Sequence, residues 1–101
     1  MSSTKKFSAM PVMTTLEFPG VTQQLYEQVG ASLPAGPPNG VLFHACGPVS
    51  AGWRIADIWE SKEAFDRFVD GVFLPAMRAK GGPAPSRREV FTTCHAGPVQ
   101  R

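Results

Sequence analysis

The chain has few charges, few cysteines and no long apolar run. Charged residues make up 18% of the 101 residues, whereas about 25% is usual in soluble domains. The net charge is only +2 and basic residues never form a longer run than a pair, so the basic stripe of a nucleic-acid-binding protein is missing. No apolar stretch reaches the roughly 18 residues of a membrane span, and no secretory signal pattern follows the N-terminus. We therefore expect a cytoplasmic protein that binds neither nucleic acid nor membranes.

Alternating apolar residues predict four strands, and two segments with helical spacing lie between them. One helix begins after the N-cap Thr22 and ends before Pro34, and the other begins after Ser61 and reaches about Lys80. Because Pro75 has no N–H for the carbonyl of Gly71, we expect a bend or a non-helical residue between 70 and 76. The strands are predicted over residues 10–18, 41–46, 53–59 and 87–95.

The element order is βαββαβ, which is typical of a ferredoxin-like α+β fold. Right-handed crossovers then give an antiparallel sheet in the order 4-1-3-2 with both helices on one face. We expect one domain over residues 10–96, a flexible N-terminal tail over 1–9 and a C-terminal tail over 97–101.

A six-residue loop, 47–52, is predicted to join strands two and three. Symmetric pairing about it sets residue 44 opposite 55 and residue 42 opposite 57, so that His44 lies diagonal to Asp57.

Both faces of the hairpin are largely apolar, so both are expected to be covered. One face carries Leu42, His44, Cys46, Trp53, Ile55, Asp57 and Trp59, and the other carries Val41, Phe43, Ala45, Arg54, Ala56 and Ile58. We expect helices to cover the first face and a second subunit to cover the face bearing Val41, Phe43, Arg54 and Ile58.

Cys46 and Cys94 belong to no CxxC motif or disulfide framework, and buried free thiols are expected. The predicted strand order places them on opposite edges of the sheet, roughly 14 Å apart by strand spacing. Although His44 and His95 lie near these cysteines in the sequence, such a separation prevents a four-ligand zinc site. No metal site is predicted.

The segment Asp57–Phe65, a Trp-terminated strand followed by a Ser-capped helix, resembles the dimeric α+β barrel superfamily. This superfamily includes antibiotic-biosynthesis monooxygenases, small polyketide cyclases and haem-degrading monooxygenases. The resemblance covers about residues 10–96 and implies a homodimer whose sheets pack face to face, with a ligand cleft between each sheet and its helices. Many monooxygenase-like members have a His on the second helix where this chain has Phe68, which weakens the resemblance to the haem-degrading members.

Two candidate groups could carry chemistry. His44 beside the Asp57 carboxylate is the arrangement of a general base with its orienting acid, although a purely structural polar pair is the alternative. Aromatic side chains could form flat walls for a planar ligand, or could simply belong to the core. These candidate binding residues are Trp53, Trp59, Tyr26, Phe65 and Phe68.

The sequence therefore predicts a cofactor-independent enzyme of the cyclase, isomerase or monooxygenase type. It would act by general acid–base proton transfer on an apolar, aromatic or polyketide-like metabolite, as the resemblance to antibiotic-biosynthesis proteins implies. A non-catalytic ligand-binding or structural homodimer is the alternative. Haem binding through His44 or His95 is a third hypothesis.

Overall fold

The computed structural model describes residues 10–99, which form four strands and three short helices. The predicted tail at residues 1–9 lies outside the described residues, as do the last two residues of the predicted C-terminal tail. A π-helical turn, Val69–Phe73, joins the second helix to the third. In chain order the elements are β1 (Val12–Pro19), α1 (Gln23–Ala31), β2 (Val41–Val49), β3 (Gly52–Trp59), α2 (Lys62–Phe68), α3 (Leu74–Ala79) and β4 (Arg87–Thr92).

The four strands form one antiparallel sheet in the order β2-β3-β1-β4. This is the predicted 4-1-3-2 order counted from the other edge, and the α+β ferredoxin-like fold is confirmed. The central strands β1 and β3 alternate strictly between a buried face and a more exposed face. Edge strand β2 is mostly exposed, because only one neighbour pairs with it.

The hydrophobic core lies between the sheet and the helices. Phe18 from β1 and Trp59 from β3 are almost completely buried, as are Val29 of α1, Phe65 of α2 and Met77 of α3. The helix starts that the sequence predicts are confirmed, since the Thr22 and Ser61 hydroxyls accept hydrogen bonds from the first-turn amides. These caps fix where each helix leaves the sheet, and hence where its side chains meet the core.

The helix interruption expected near Pro75 takes the form of a π-helical turn. The N–H of Leu74 bonds to the carbonyl of Val69, five residues back, so the α-helical ladder is broken there. No residue leaves the helical conformation between Lys62 and Ala79, so the second of the two expected forms, a non-helical residue, does not occur. The wider turn places Pro75 in the first turn of α3, a position at which proline is tolerated.

The β2–β3 hairpin is tighter than predicted. Strand β2 runs on to Val49, and only Ser50 and Ala51 form the turn. His44 consequently lies directly opposite Asp57, so the expected pairing of residue 44 with 55 is wrong by two residues. A two-residue shift preserves the face to which each side chain points, so His44 and Asp57 still share the helix-covered face.

An irregularity between Val41 and Phe43 corrects the predicted faces at the start of β2. Val41 pairs with Trp59 while Phe43 pairs with Ile58, which leaves Leu42 as the extra residue of a bulge. Val41 therefore lines the cavity under the helices, although the alternation predicted it on the opposite face. Leu42 lies beside Phe43 and Ile58 on the helix-free face, again opposite to its predicted position.

A glycine in this hairpin provides a test of the fold. A Cβ at Gly52 would overlap the carbonyl oxygen of Phe18 and lie 2.7 Å from the amide nitrogen of Gly20. We expect Gly52→Ala to lower the free energy of unfolding by about 2 kcal/mol or more, measured by urea denaturation, because the backbone must shift. Gly30→Ala, in α1 with open space around it, is the matched control and should be neutral or stabilising. Equal stabilities for the two variants would contradict this packing.

Candidate functional site

A cavity of about 260 Å³ lies between the sheet and the helices, on the side where the resemblance implied a cleft. Three polar side chains reach it, namely Tyr26, His44 and Asp57. The rest of its wall is apolar and consists of Leu16, Leu33, Pro37, Pro38, Val41, Ile55, Trp59, Phe68, Val69 and Phe73. A few convergent polar groups in an apolar cavity are typical of a small-molecule site.

Strand pairing positions the two predicted catalytic residues. Asp57 belongs to the buried row of β3, whereas His44 projects from the exposed edge strand β2 directly opposite it. The Asp57 residue is 7% exposed, while the His44 side chain keeps 48% of its surface accessible. Tyr26 arrives from the first turns of α1, half-buried, and its ring stacks on Trp53 at 5.1 Å between centroids.

These groups form a continuous hydrogen-bonded chain. The Asp57 Oδ1 atom lies 2.7 Å from His44 Nδ1, and His44 Nε2 lies 3.1 Å from the Tyr26 hydroxyl oxygen. The second carboxylate oxygen, Oδ2, accepts a bond of 3.2 Å from the Trp59 indole N–H. The backbone N–H of Ala45 also donates to this carboxylate. Asp57 is thus held by three donors, and it holds His44 in turn.

Burial sets the electrostatics of the chain. Desolvation raises the pKa of Asp57 above its usual range, and the hydrogen bonds from His44, Trp59 and the Ala45 amide only partly oppose that rise. Burial is also the main cause that raises the pKa of Tyr26, followed by the neighbouring Cys46 thiol and the Asp57 charge. Tyr26 therefore remains a protonated phenol, which can donate its hydrogen, at any physiological pH.

The chain defines what the imidazole can do. An ionised carboxylate only accepts hydrogen bonds, so the proton of a neutral His44 resides on Nδ1, facing Asp57. The lone pair of Nε2 then points to the Tyr26 hydroxyl and into the cavity. This arrangement supplies a base, Nε2, beside a hydrogen-bond donor, the phenol, at the boundary of an apolar cavity.

The structure brings together some of the predicted binding residues and separates others. Trp59, Phe68 and Tyr26 line the cavity, as the sequence suggested. Trp53 and Phe65 are not among the lining residues, which corrects their assignment as walls. Trp53 lies behind the Tyr26 ring, and Phe65 packs edge-on against Trp59, with centroids 5.9 Å apart, within the core.

Several wall residues escaped the sequence-based prediction. Pro37 and Pro38 lie in the loop between α1 and β2, which folds back over the cavity. Phe73 belongs to the apolar stripe of the second helical segment, but a stripe alone does not reveal which member faces an open space. The spacing of Phe68 and Phe73 ahead of Pro75 is a sequence signal that could have indicated Phe73 as a wall residue, because a π-helical turn lies between them.

The two cysteines and the possible metal ligands lie apart from one another. Cys46 and Cys94 are free and exposed, so the expectation of buried thiols is wrong. The reason is the exposure of edge strand β2 for Cys46 and the position of Cys94 beyond the end of β4. Within residues 10–99 no three His, Cys, Asp or Glu side chains cluster as metal ligands would. In the same range no helix is long and apolar enough to cross a membrane.

Comparisons with known proteins bear on the fold. No protein-family model matches the chain, and no curated protein matches it significantly in sequence. In structure it is similar to a protein from Chloroflexus aurantiacus J-10-fl that is provisionally described as an antibiotic biosynthesis monooxygenase. The two share 12% sequence identity with a TM-score of 0.57, over 91% of this chain and all of the other. At this identity the likeness shows the fold, which is the fold that the Asp57–Phe65 segment led us to expect.

Proposed function

We propose that this protein is an enzyme that moves a proton on a small, apolar, planar metabolite by general acid–base chemistry that needs no cofactor. The observation that carries the proposal is the Asp57–His44–Tyr26 chain, which ends at an otherwise apolar cavity. The aromatic rings of Trp59, Phe68 and Phe73 give that cavity flat walls suited to an aromatic or polyketide-like substrate. The likeness to a protein described as an antibiotic biosynthesis monooxygenase agrees with such a substrate.

The proposed reaction begins when a substrate carbonyl oxygen accepts the Tyr26 hydroxyl hydrogen. The phenol then no longer donates a hydrogen bond to His44 Nε2. The lone pair of Nε2 becomes free to take a proton from the acidic carbon next to the carbonyl. The C–H electron pair forms the new C=C bond and the π pair of the carbonyl moves onto its oxygen, where the phenol stabilises the enolate. The imidazolium that forms is stabilised by Asp57 across the 2.7 Å contact.

The fate of the enolate would decide the reaction type. Attack on a second carbonyl closes a ring, return of the proton at another carbon gives an isomer, and reaction with dioxygen gives an oxygenated product. These outcomes correspond to the cyclase, isomerase and monooxygenase types. All three share the proton abstraction by His44, so the first step can be tested without knowledge of the natural substrate.

Haem binding has less support than acid–base chemistry. Both nitrogens of His44 already have partners in the site, and Nε2 could ligate iron only by giving up the Tyr26 hydroxyl. His95 follows β4 and does not line the cavity. A non-catalytic ligand-binding role is the remaining alternative, and the following experiment separates it from catalysis.

The test follows hydrogen–deuterium exchange at the acidic benzylic position of β-tetralone, a bicyclic aromatic ketone, by NMR in D₂O. We expect His44→Ala to slow the enzyme-catalysed exchange by about a hundredfold or more, the usual share of a general base. Tyr26→Phe should also slow the exchange, by a factor somewhat smaller than that of His44→Ala, because the enolate loses its hydrogen-bond donor. Gln24→Ala, on the exposed surface of α1, is the control. A wild-type protein that binds the ketone without accelerating exchange would support the ligand-binding alternative.

The Asp57→Asn variant tests two roles of Asp57, the orientation of the His44 imidazole and the contribution of the acid to the stability of the fold. The amide NH₂ of Asn can donate to Nδ1, which moves the imidazole proton to Nε2 and removes the base. Exchange should therefore slow by about a hundredfold or more.

The same variant tests how Asp57 affects stability. The folded state raises the pKa of Asp57, so folding favours the protonated acid. The contribution of Asp57 to the free energy of unfolding therefore declines as the pH rises from the pKa of the unfolded chain through that of the folded state. The stability of Asp57→Asn relative to wild type, from urea denaturation, should therefore increase from acidic to neutral pH. A difference independent of pH would contradict the burial argument.

We also propose that the protein is a homodimer formed through the helix-free face of the sheet. The strand register aligns an apolar row across all four strands, Phe43, Ile58, Met13 and Phe91. Phe43 is 62% exposed and Phe91 is 60% exposed in the isolated chain, which is unusual for such large apolar side chains. Beyond this row, Glu17 forms ion pairs with Arg54 and Arg87 on the same face.

The dimer can be tested by light scattering at micromolar concentration. We expect twice the chain mass of 10.9 kDa for the wild type. Phe43→Glu places a charge in the apolar row and should shift the protein to monomer, because an unpaired charge would be buried in the interface. Gln24→Glu adds the same charge on α1, away from the sheet face, and should leave the dimer intact. A monomeric wild type would refute this assembly.

A further inference from the structure

A second cavity, of about 420 Å³, adjoins the first. It lies between the α1–β2 loop and α2, and four residues line both cavities: Leu33, Pro37, Pro38 and Phe68. These shared residues place the two cavities side by side under the loop. The first holds the proposed acid–base chain, whereas the second contains none of it and is left without a role in the proposed reaction.

Arg67 is the only ionisable side chain that lines the second cavity. Among the described residues it forms no ion pair, whereas other arginines are engaged: Arg88 contacts both Asp66 and Asp70, and Arg54 contacts Glu17. Arg78, on α3, also forms no ion pair within residues 10–99, but it lines neither cavity. Arg67 is therefore an exposed guanidinium with unused donors at the wall of a partly open, largely apolar space.

We propose that the substrate is an elongated acid, with its planar apolar part in the first cavity and a carboxylate bound by Arg67 in the second. This inference rests on the proposed function, because it names the class of molecule on which that site acts. A guanidinium presents a planar fork of N–H donors that matches the two oxygens of a carboxylate. The proline-rich loop and Phe68 line both cavities, so they form a common apolar wall for the part of the molecule that joins its two ends.

The same charges orient the molecule. Asp57 places a carboxylate at the wall of the first cavity, which repels an anionic group there. Arg67 attracts an anionic group in the second cavity. A substrate with one acidic end is thereby held with its apolar, carbonyl-bearing part beside His44 and Tyr26, the orientation that proton abstraction requires.

The test compares two probes of the same shape, anthracene-2-carboxylate and the neutral anthracene-2-carboxamide, by quenching of tryptophan fluorescence, since Trp59 lines the first cavity. We expect the wild type to bind the acid about tenfold more tightly than the amide, a modest value for a charge-assisted contact at a partly open site. Arg67→Gln should abolish that preference and leave the affinity for the amide unchanged. Arg78→Gln, which removes the same charge from an exposed helix position, should retain it.

The outcomes that overturn the inference are distinct. Equal affinities of the wild type for acid and amide would refute it, as would a preference that survives Arg67→Gln or disappears in Arg78→Gln. Loss of the preference in His44→Ala but not in Arg67→Gln would place the carboxylate in the first cavity instead. None of these measurements requires turnover. A protein that prefers the acid yet fails to accelerate exchange on β-tetralone would support carboxylate binding by Arg67 and refute the proposed proton-transfer activity.

Discussion

The site depends on the antiparallel pairing of β2 with β3. This pairing sets His44 directly across from Asp57, and a two-residue turn leaves little room for another register. Gly52, the first residue of β3 after that turn, passes too close to Phe18 of β1 for any side chain. The distance of 2.7 Å between carboxylate and imidazole is therefore determined by the hairpin and not by flexible side chains. The orientation of His44 by Asp57, on which the proposed proton transfer depends, follows from that register.

The second constraint is the burial of an acid in an aromatic row. Burial raises the pKa of Asp57, and an isolated carboxylate there would destabilise the fold. Three donors offset that cost, and one of them, His44, is the group whose exposed nitrogen reaches the cavity. The acid is thus retained at a position where an apolar residue would pack more simply, as is common where chemistry requires a polar group.

The sheet separates two roles by its two faces. The helix-covered face provides the core, the cavity and the acid–base chain. The other face presents the apolar row from Phe43 to Phe91, and none of the helices within residues 10–99 covers it. A partner on that face would leave the cavity free, since the cavity lies on the opposite, helix-covered face of the sheet. Association and ligand binding can therefore be altered by independent substitutions.

The sequence by itself determined the element order, the strand order and the face on which His44 and Asp57 meet, because two-residue alternation and helix caps are local patterns. Only the tertiary structure decided the rest. The bulge that exchanges the faces of Val41 and Leu42 depends on how the start of β2 pairs with the end of β3, which the alternation within β2 does not reveal. The contact of Tyr26 with His44 depends on how α1 packs on the sheet, and the position of Arg67 beside a cavity depends on the path of a loop. Periodicity specifies which side of an element is buried, but the distance between elements follows from packing of the whole chain.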